Sequence, residues 1–337
     1  MQLSQGKINH LNALSTKDGI IAAAAMDQRG SLRKMIAAGK NISPDNIVDD
    51  QLKEFKAAVS KILTPHASAI LLDTEYGLPA AQVRAKNAGL LLAYEESGYD
   101  NTQPGRLPDL LPDLSALRIR GHGANAVKVL LYYTPFEKPE INEIKHAFIE
   151  RVGAECETNE IPFFCEFVGY DPQGGDEKGL EYAKKKPEVV IGSMQEFGKQ
   201  QYRIDVLKVE VPVNLNFVEG SQGFKGQSAY SRRQALDLFR KASDIAQKPF
   251  IYLSAGVSNP EFVESLEMAA EAGTDFSGVL CGRATWKNGV AVYAKQGVKA
   301  LEDWLADEGV KNIEAVNNAV KTAKPWRKKA GISTAAA

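Results

Sequence analysis

The chain has 337 residues, 44% hydrophobic and 25% charged, a balance that supplies one large core and excludes a disordered chain. Its 41 basic and 42 acidic residues leave a formal charge of -1 and are mixed along the sequence, so neither a nucleic-acid face nor a polybasic membrane patch is expected. Cys156, Cys165 and Cys281 are too few and scattered for a disulfide framework, residues 1–19 lack an apolar signal core, and no stretch of roughly 18 apolar residues occurs; the cytoplasm is the expected compartment.

In chain order, eight short apolar runs stand at 20–26, 68–72, 90–94, 126–132, 162–168, 206–211, 250–253 and 278–281. Longer stretches of helical period separate them, which is the pattern of a parallel sheet with crossover helices. Residues 47–63, 141–156, 231–246 and 260–272 carry apolar side chains near i, i+3 and i+4 spacing and predict helices. Ser258 and Pro260 give the last of these a start, and Gly273 gives it a stop. Eight strands predict an α/β TIM (β/α)8 barrel. We place it at 20–325, after an N-terminal extension (1–19) and before a tail (326–337) loose from Gly331 onward, with two further helices in 290–320. A homo-oligomer built on those closing helices is compatible with the sequence. The basic runs 184–186 and 327–329 read as solvated surface. Residues 170–186, rich in Gly, Lys and Asp, predict a mobile insertion after the fifth strand, either a substrate-facing loop or a merely solvated one.

Active sites of such barrels gather at the carboxyl ends of the strands. Asp27, Gln28 and Arg29 follow the first run, Asp73 and Glu75 the second, and Glu95 the third. Lys128 falls inside the fourth run, Glu166 inside the fifth, Lys208 and Glu210 inside the sixth; Ser254 closes the seventh, Gly282 and Arg283 the eighth. Charge inside a buried strand is costly unless paired. A buried ion-pair network that locks the barrel would account for it, and so would a polar reaction cavity.

Two lysines and an acid favour the cavity. A buried lysine beside a second cation loses its proton more readily and becomes a nucleophile, a pairing that Lys208 and Lys128 fit. Its attack on a ketone gives a carbinolamine, whose dehydration needs a carboxyl such as Glu166. The iminium then draws electrons from a breaking carbon–carbon bond, with Asp27 as the candidate to aid that step. Ser254-Ala255-Gly256 and Gly282-Arg283 sit where barrels bind phosphate through backbone N–H groups and a cation.

Other motifs carry less. The Gly121-to-Ala126 stretch has loose dinucleotide spacing but precedes a strand, so it reads as a turn. His10, His66, His122 and His146 lie far apart with no second ligand at metal spacing, so no metal and no other cofactor is expected. Cys165 and Cys281 read as packing residues.

Over nearly its whole length the chain resembles the class I, LacD-type tagatose 1,6-bisphosphate aldolase family. The likeness rests on Ala25-Met26-Asp27-Gln28-Arg29-Gly30, Ile70-Leu71-Leu72-Asp73 with Glu75-Tyr76-Gly77, Ala126-Val127-Lys128, 205–212 around Lys208, Leu253-Ser254-Ala255-Gly256-Val257, and 280–286 around Arg283. The resemblance implies an imine on Lys208 and proton transfer by Glu166 near Lys128. It also implies sugar contacts from Asp27 and Gln28, a phosphate held by Ser254, Gly282 and Arg283, and a distal role for Arg29. The implied partner is a phosphorylated ketose, cleaved to glycerone phosphate and glyceraldehyde 3-phosphate. The alternatives are another phosphorylated or sulfonated ketose, or a non-covalent phosphosugar isomerase or epimerase.

Overall fold

Strict alternation along the strands sorts side chains between two apolar clusters. Ala23, Leu71, Phe164, Val206, Ile251 and Leu280 share one, and Ala24, Leu72, Cys165, Leu207, Tyr252 and Cys281 the other. The first set fills the inside of a barrel and the second faces its helices, because successive side chains of a strand point to opposite faces. The computed structural model describes residues 3–99 and 102–332. Its strands are β1 (Ile21–Met26), β2 (Ala69–Leu72), β3 (Gly89–Ala93), β4 (Ala126–Tyr132), β5 (Phe163–Val168), β6 (Val206–Val209), β7 (Phe250–Leu253) and β8 (Gly278–Cys281). Each pairs parallel with the next and β8 returns to β1, closing the barrel.

All eight predicted runs are strands. The sixth is shorter than predicted: it stops at Val209, so Glu210 lies just past it. The predicted helices appear as Asp49–Leu63, Pro139–Thr158, Arg232–Ile245 and Asn259–Glu271. The last opens on a reciprocal cap, in which the Ser258 hydroxyl accepts the Glu261 N–H while the Glu261 carboxylate accepts the Ser258 N–H. After β8 come Gly289–Trp304, kinked at Gly297, and Val310–Ala319. The first packs on the helices Gly30–Lys40 and Asp49–Leu63, outside the barrel wall.

Three expectations need correction. Residues 170–186 are not one mobile insertion, because 180–186 begin the helix Leu180–Phe197. Nor is the 184–186 run wholly solvated. Lys186 is buried and pairs with Glu210 at 3.1 Å, since the helix turns it toward the barrel. The 327–329 run is also tied down, with Lys328 on Asp275 and Lys329 donating to the Ser243 and Ala246 carbonyls.

Both ends of the chain plug the barrel floor. Leu11 and Leu14, from and just after the helix Gln5–Ala13, are buried among the interior side chains, as is Trp326 of the helix Trp326–Ala330. Packing therefore continues across residues 19 and 326. Of the tail expected to be loose, residues 333–337 lie outside the described residues.

Candidate active site

The alternation that puts Ala25, Ala126, Phe164 and Val206 inside the barrel puts Asp27, Lys128, Glu166 and Lys208 two positions further on, on the same face. All four converge above the apolar layers. Lys128 is completely buried, and its Nζ lies 2.8 Å from Asp27 Oδ2, 2.7 Å from Glu95 Oε1 and 2.8 Å from Glu166 Oε2. Glu166 pairs in register with Lys208, and the same Oε2 lies 2.8 Å from Lys208 Nζ. Two ammoniums and three carboxylates thus share one connected cluster.

This geometry changes the expected electrostatics. Repulsion between Lys128 and Lys208 was to free an amine, but Glu166 lies between them and screens each from the other. Burial alone would lower Lys128; Asp27, Glu166 and Glu95 outweigh it and hold Lys128 well above its usual value. Burial would raise Asp27, yet Lys128 and then Lys208 hold it below the ordinary carboxylate range. Glu166 is lowered by the same two lysines against burial and against Asp27. The resting Glu166 is therefore a carboxylate, a proton acceptor before it is a donor.

A second buried ion pair supports the first. Lys56 Nζ donates to the Met26 and Gln28 carbonyls, each at 2.8 Å, and pairs with Asp73; Lys56 and Asp73 are both wholly buried. Those carbonyls flank Asp27, so the pair fixes the backbone that presents its carboxylate. Burial pushes the Lys56 ammonium down, with Asp73 opposing. Sequence reasoning missed Lys56 as a site-building residue. Its signal was a charge on the apolar stripe Leu52, Phe55, Val59 and Leu63 of its helix.

A cavity of about 650 Å³ opens over this cluster. It is lined by Asp27, Gln28, Arg29, Lys128, Glu166 and Lys208 below, and by Ser254, Gly256, Gly282 and Arg283 on the β7–β8 side. Every predicted catalytic and phosphate-binding residue thus borders one space, whereas Asp73 and Glu75 do not line it. Ser31, Lys34, Tyr132 and Glu210 border it too, and of these only Glu210 was noted in the sequence. Gln28 Nε2 donates to Asp27 Oδ1 at 3.1 Å, which leaves Gln28 Oε1 a buried acceptor without a partner among the described residues, as is Glu95 Oε2. Arg29 is more committed than expected for a ligand group: Nη1 lies 2.6 Å from Glu75 and Nη2 donates to the Glu95 carbonyl at 2.8 Å. Among the described residues only its Nε is buried without a partner.

The β7 loop turns through two left-handed residues, Ala255 (φ 47°) and Gly256 (φ 77°). A Cβ on Gly256 would come within 2.8 Å of the Arg283 guanidinium carbon, so the loop and the arginine touch only because Gly256 has none. Gly282 approaches as closely on the other side, where a Cβ would lie 3.0 Å from the Ala25 carbonyl. Arg283 has no carboxylate partner among the described residues. Two backbone turns and a free guanidinium therefore meet at one edge of the cavity, an arrangement suited to an oxyanion.

The other motifs do not line this cavity. Residues 122–125 form the turn between the helix Ala116–Gly121 and β4. Cys165 and Cys281 are buried, and burial raises both thiols, Cys281 to about 12. Among the described residues no group of three or more His, Cys, Asp or Glu is arranged to hold a metal ion, and no helix is long and apolar enough to cross a membrane.

Comparison with known proteins gives the family of the chain. The chain is 54% identical over 334 residues to tagatose 1,6-diphosphate aldolase 2 of Enterococcus faecalis, covering 99% of each. It is 50% identical over 332 residues to tagatose 1,6-diphosphate aldolase of Listeria monocytogenes, covering 98% of this chain and 96% of that one. Its fold matches a fructose-bisphosphate aldolase from Plasmodium falciparum with a TM-score of 0.69 at 14% identity, over 96% of this chain and 97% of that one. The profile of the DeoC/LacD family aldolases matches residues 21–288. The chain is a member of the DeoC/LacD family of aldolases.

Proposed function

We propose that this aldolase cleaves tagatose 1,6-bisphosphate to glycerone phosphate and glyceraldehyde 3-phosphate through an imine on Lys208, without a metal. The observation that carries the reading is the Lys208–Glu166 contact of 2.8 Å at the base of a cavity whose edge is built for an oxyanion.

Lys208 gives a proton to the Glu166 carboxylate and its amine adds to the ketone carbon. Glu166 returns the proton to the carbinolamine oxygen, which leaves as water, and an iminium remains. The Asp27 carboxylate, held ionised by Lys128, takes the proton of the C4 hydroxyl. The C3–C4 bond breaks, its electrons move into the iminium, and the aldehyde departs. Asp27 returns its proton to C3 of the enamine, and water hydrolyses the iminium so formed, which frees Lys208. Ser254, Gly256, Gly282 and Arg283 hold the ketone-side phosphate, while the unpartnered Gln28 Oε1 and Glu95 Oε2 accept sugar hydroxyls. Arg29 Nε and Lys34 face the distal end. The same reading makes the protein a cytoplasmic enzyme.

Borohydride reduction with glycerone phosphate, followed by peptide mapping, tests this. A reduced adduct on Lys208, absent in Lys208→Ala, with cleavage insensitive to chelator, is expected. No adduct, or one on another lysine, overturns it.

A further inference from the structure

The barrel has a second cavity at the opposite end. It encloses about 400 Å³ between the N-terminal helix, the start of β6, the turn before β7 and the last helix. The interior layer of Leu71, Phe164, Val206 and Ile251 separates it from the catalytic mouth.

Its walls carry four cations, Lys7, Arg203, Lys248 and Lys329, against two carboxylates, Glu157 and Asp205. Both carboxylates are already engaged. Asp205 Oδ2 accepts from Lys7 Nζ at 2.7 Å and from the Phe163 N–H at 2.8 Å, while Glu157 Oε2 lies 2.8 Å from Arg203 Nε. Two positive charges remain in excess. Among the described residues Lys7 spends only the one bond to Asp205, although its side chain is 7% exposed, so two N–H donors have no protein acceptor. Lys329 spends two bonds on backbone carbonyls and keeps one. Lys248, half-buried on the same wall, has no ion-pair or hydrogen-bond partner among the described residues. Burial pulls its ammonium down and Lys7 adds repulsion; Asp205, already engaged, opposes them.

Half-buried ammonium groups without acceptors are costly, and the most direct remedy is a ligand with several anionic oxygens. The cavity has room for one together with a small organic body. We propose that this floor cavity is a second oxyanion site, which binds a phosphate dianion, free or as a small phosphate ester, between Lys248, Lys7 and Lys329. It is separate from the phosphate edge at Ser254 and Arg283, and it does not depend on the reaction assigned to the mouth.

The test is calorimetric titration of the full-length enzyme with inorganic phosphate and, separately, with glycerone phosphate, at constant ionic strength. Arg283→Gln weakens the mouth site and leaves the floor intact. Saturable phosphate binding should persist in that variant, weaken at least tenfold when Lys248→Met is added, and return with Lys248→Arg. Cleavage by the Lys248→Met single variant should match wild type. Tighter binding of glycerone phosphate than of inorganic phosphate at the floor assigns an ester as the occupant; the reverse assigns free phosphate. Loss of saturable binding in Arg283→Gln alone, or binding indifferent to Lys248→Met, overturns the proposal.

Discussion

Glu166 and Lys208 face each other in register across β5 and β6, and Glu166 Oε2 stands 2.8 Å from the Lys208 ammonium. That oxygen also contacts Lys128, so the proton acceptance proposed for Glu166 and the charge balance of the cluster fall on the same atom. Glu166→Gln keeps the shape and removes the acceptor. Cleavage should slow by about 10²- to 10⁴-fold, the usual worth of a positioned acid–base group. The rate of borohydride trapping at Lys208 should fall in parallel. An unchanged trapping rate would give the proton transfer to another group.

Lys128 is the counter-charge for three acids, and removing it leaves them buried together. We expect Lys128→Met to lose about 3–5 kcal/mol, the cost of breaking a buried pair by deleting one partner. The loss should depend on pH. In the wild type, Asp27 and Glu166 have folded pKa values below their usual 3.8 and 4.5, so their stabilisation is complete above those values and fades as pH falls through the lowered ones. Lys128 is raised above 10.5, so its contribution is complete below that value and fades as pH climbs beyond it. Without Lys128 the acids are pushed upward by burial, and protonation then relieves the variant. Thermal melts from pH 8 to pH 5 should show the gap between variant and wild type narrowing; a constant gap would mean that the acids do not depend on Lys128.

The barrel and the cluster were legible in the sequence for one reason: the strand period is two. Residues that are apolar at Ala126, Phe164 and Val206 and charged at Lys128, Glu166 and Lys208 must share a face, so eight apolar runs with charges near their ends were sufficient to bring the acids and lysines together. The charge balance was not legible. Repulsion between two lysines was inferred from their presence, but Glu95 lies outside any strand, and its place between Arg29 and Lys128 depends on how the β3 loop folds back. Lys186 and Trp326 escaped for a related reason. Each sits in a segment polar enough to read as surface, and only the three-dimensional path of the chain buries them.

Trp326 gives that point a measurable form. It is wholly buried with Leu11 and Leu14 under the barrel, and its backbone N–H donates to the Gly19 carbonyl. Trp326→Ala should cost about 3–5 kcal/mol, as large aromatic truncations in cores do. The mouth lies at the other end, so the trapped adduct on Lys208 should still form below the melting temperature. A melting temperature within a degree of wild type would return residues 326–332 to the status of a tail.

Gly256 tests the phosphate edge. Its φ of 77° and the 2.8 Å approach of Arg283 to a Cβ placed there oppose any side chain. The left-handed conformation alone costs an alanine about 1–2 kcal/mol, which Gly256→Ala should show as a modest fall in melting temperature. The larger effect belongs to binding, because the methyl group displaces the Arg283 guanidinium. KM for the bisphosphate should rise more than tenfold, while a ketose lacking the ketone-side phosphate should lose little in kcat/KM. Equal losses for both substrates would mean that the glycine shapes the reacting end rather than the phosphate edge.

Lys56 separates stability from positioning. Lys56→Met leaves Asp73 buried without its cation, a loss of about 3–5 kcal/mol. Adding Asp73→Asn removes the orphaned charge and should recover much of that stability. It cannot restore the two bonds that Lys56 makes to the Met26 and Gln28 carbonyls on either side of Asp27. The double variant should therefore melt closer to wild type than the single variant does, yet keep a depressed kcat, with KM changed less. Its borohydride trapping should stay near normal, because in the proposed mechanism imine formation uses Glu166 and Lys208 while carbon–carbon cleavage uses Asp27. Recovery of kcat along with the melting temperature would make the Lys56–Asp73 pair purely structural.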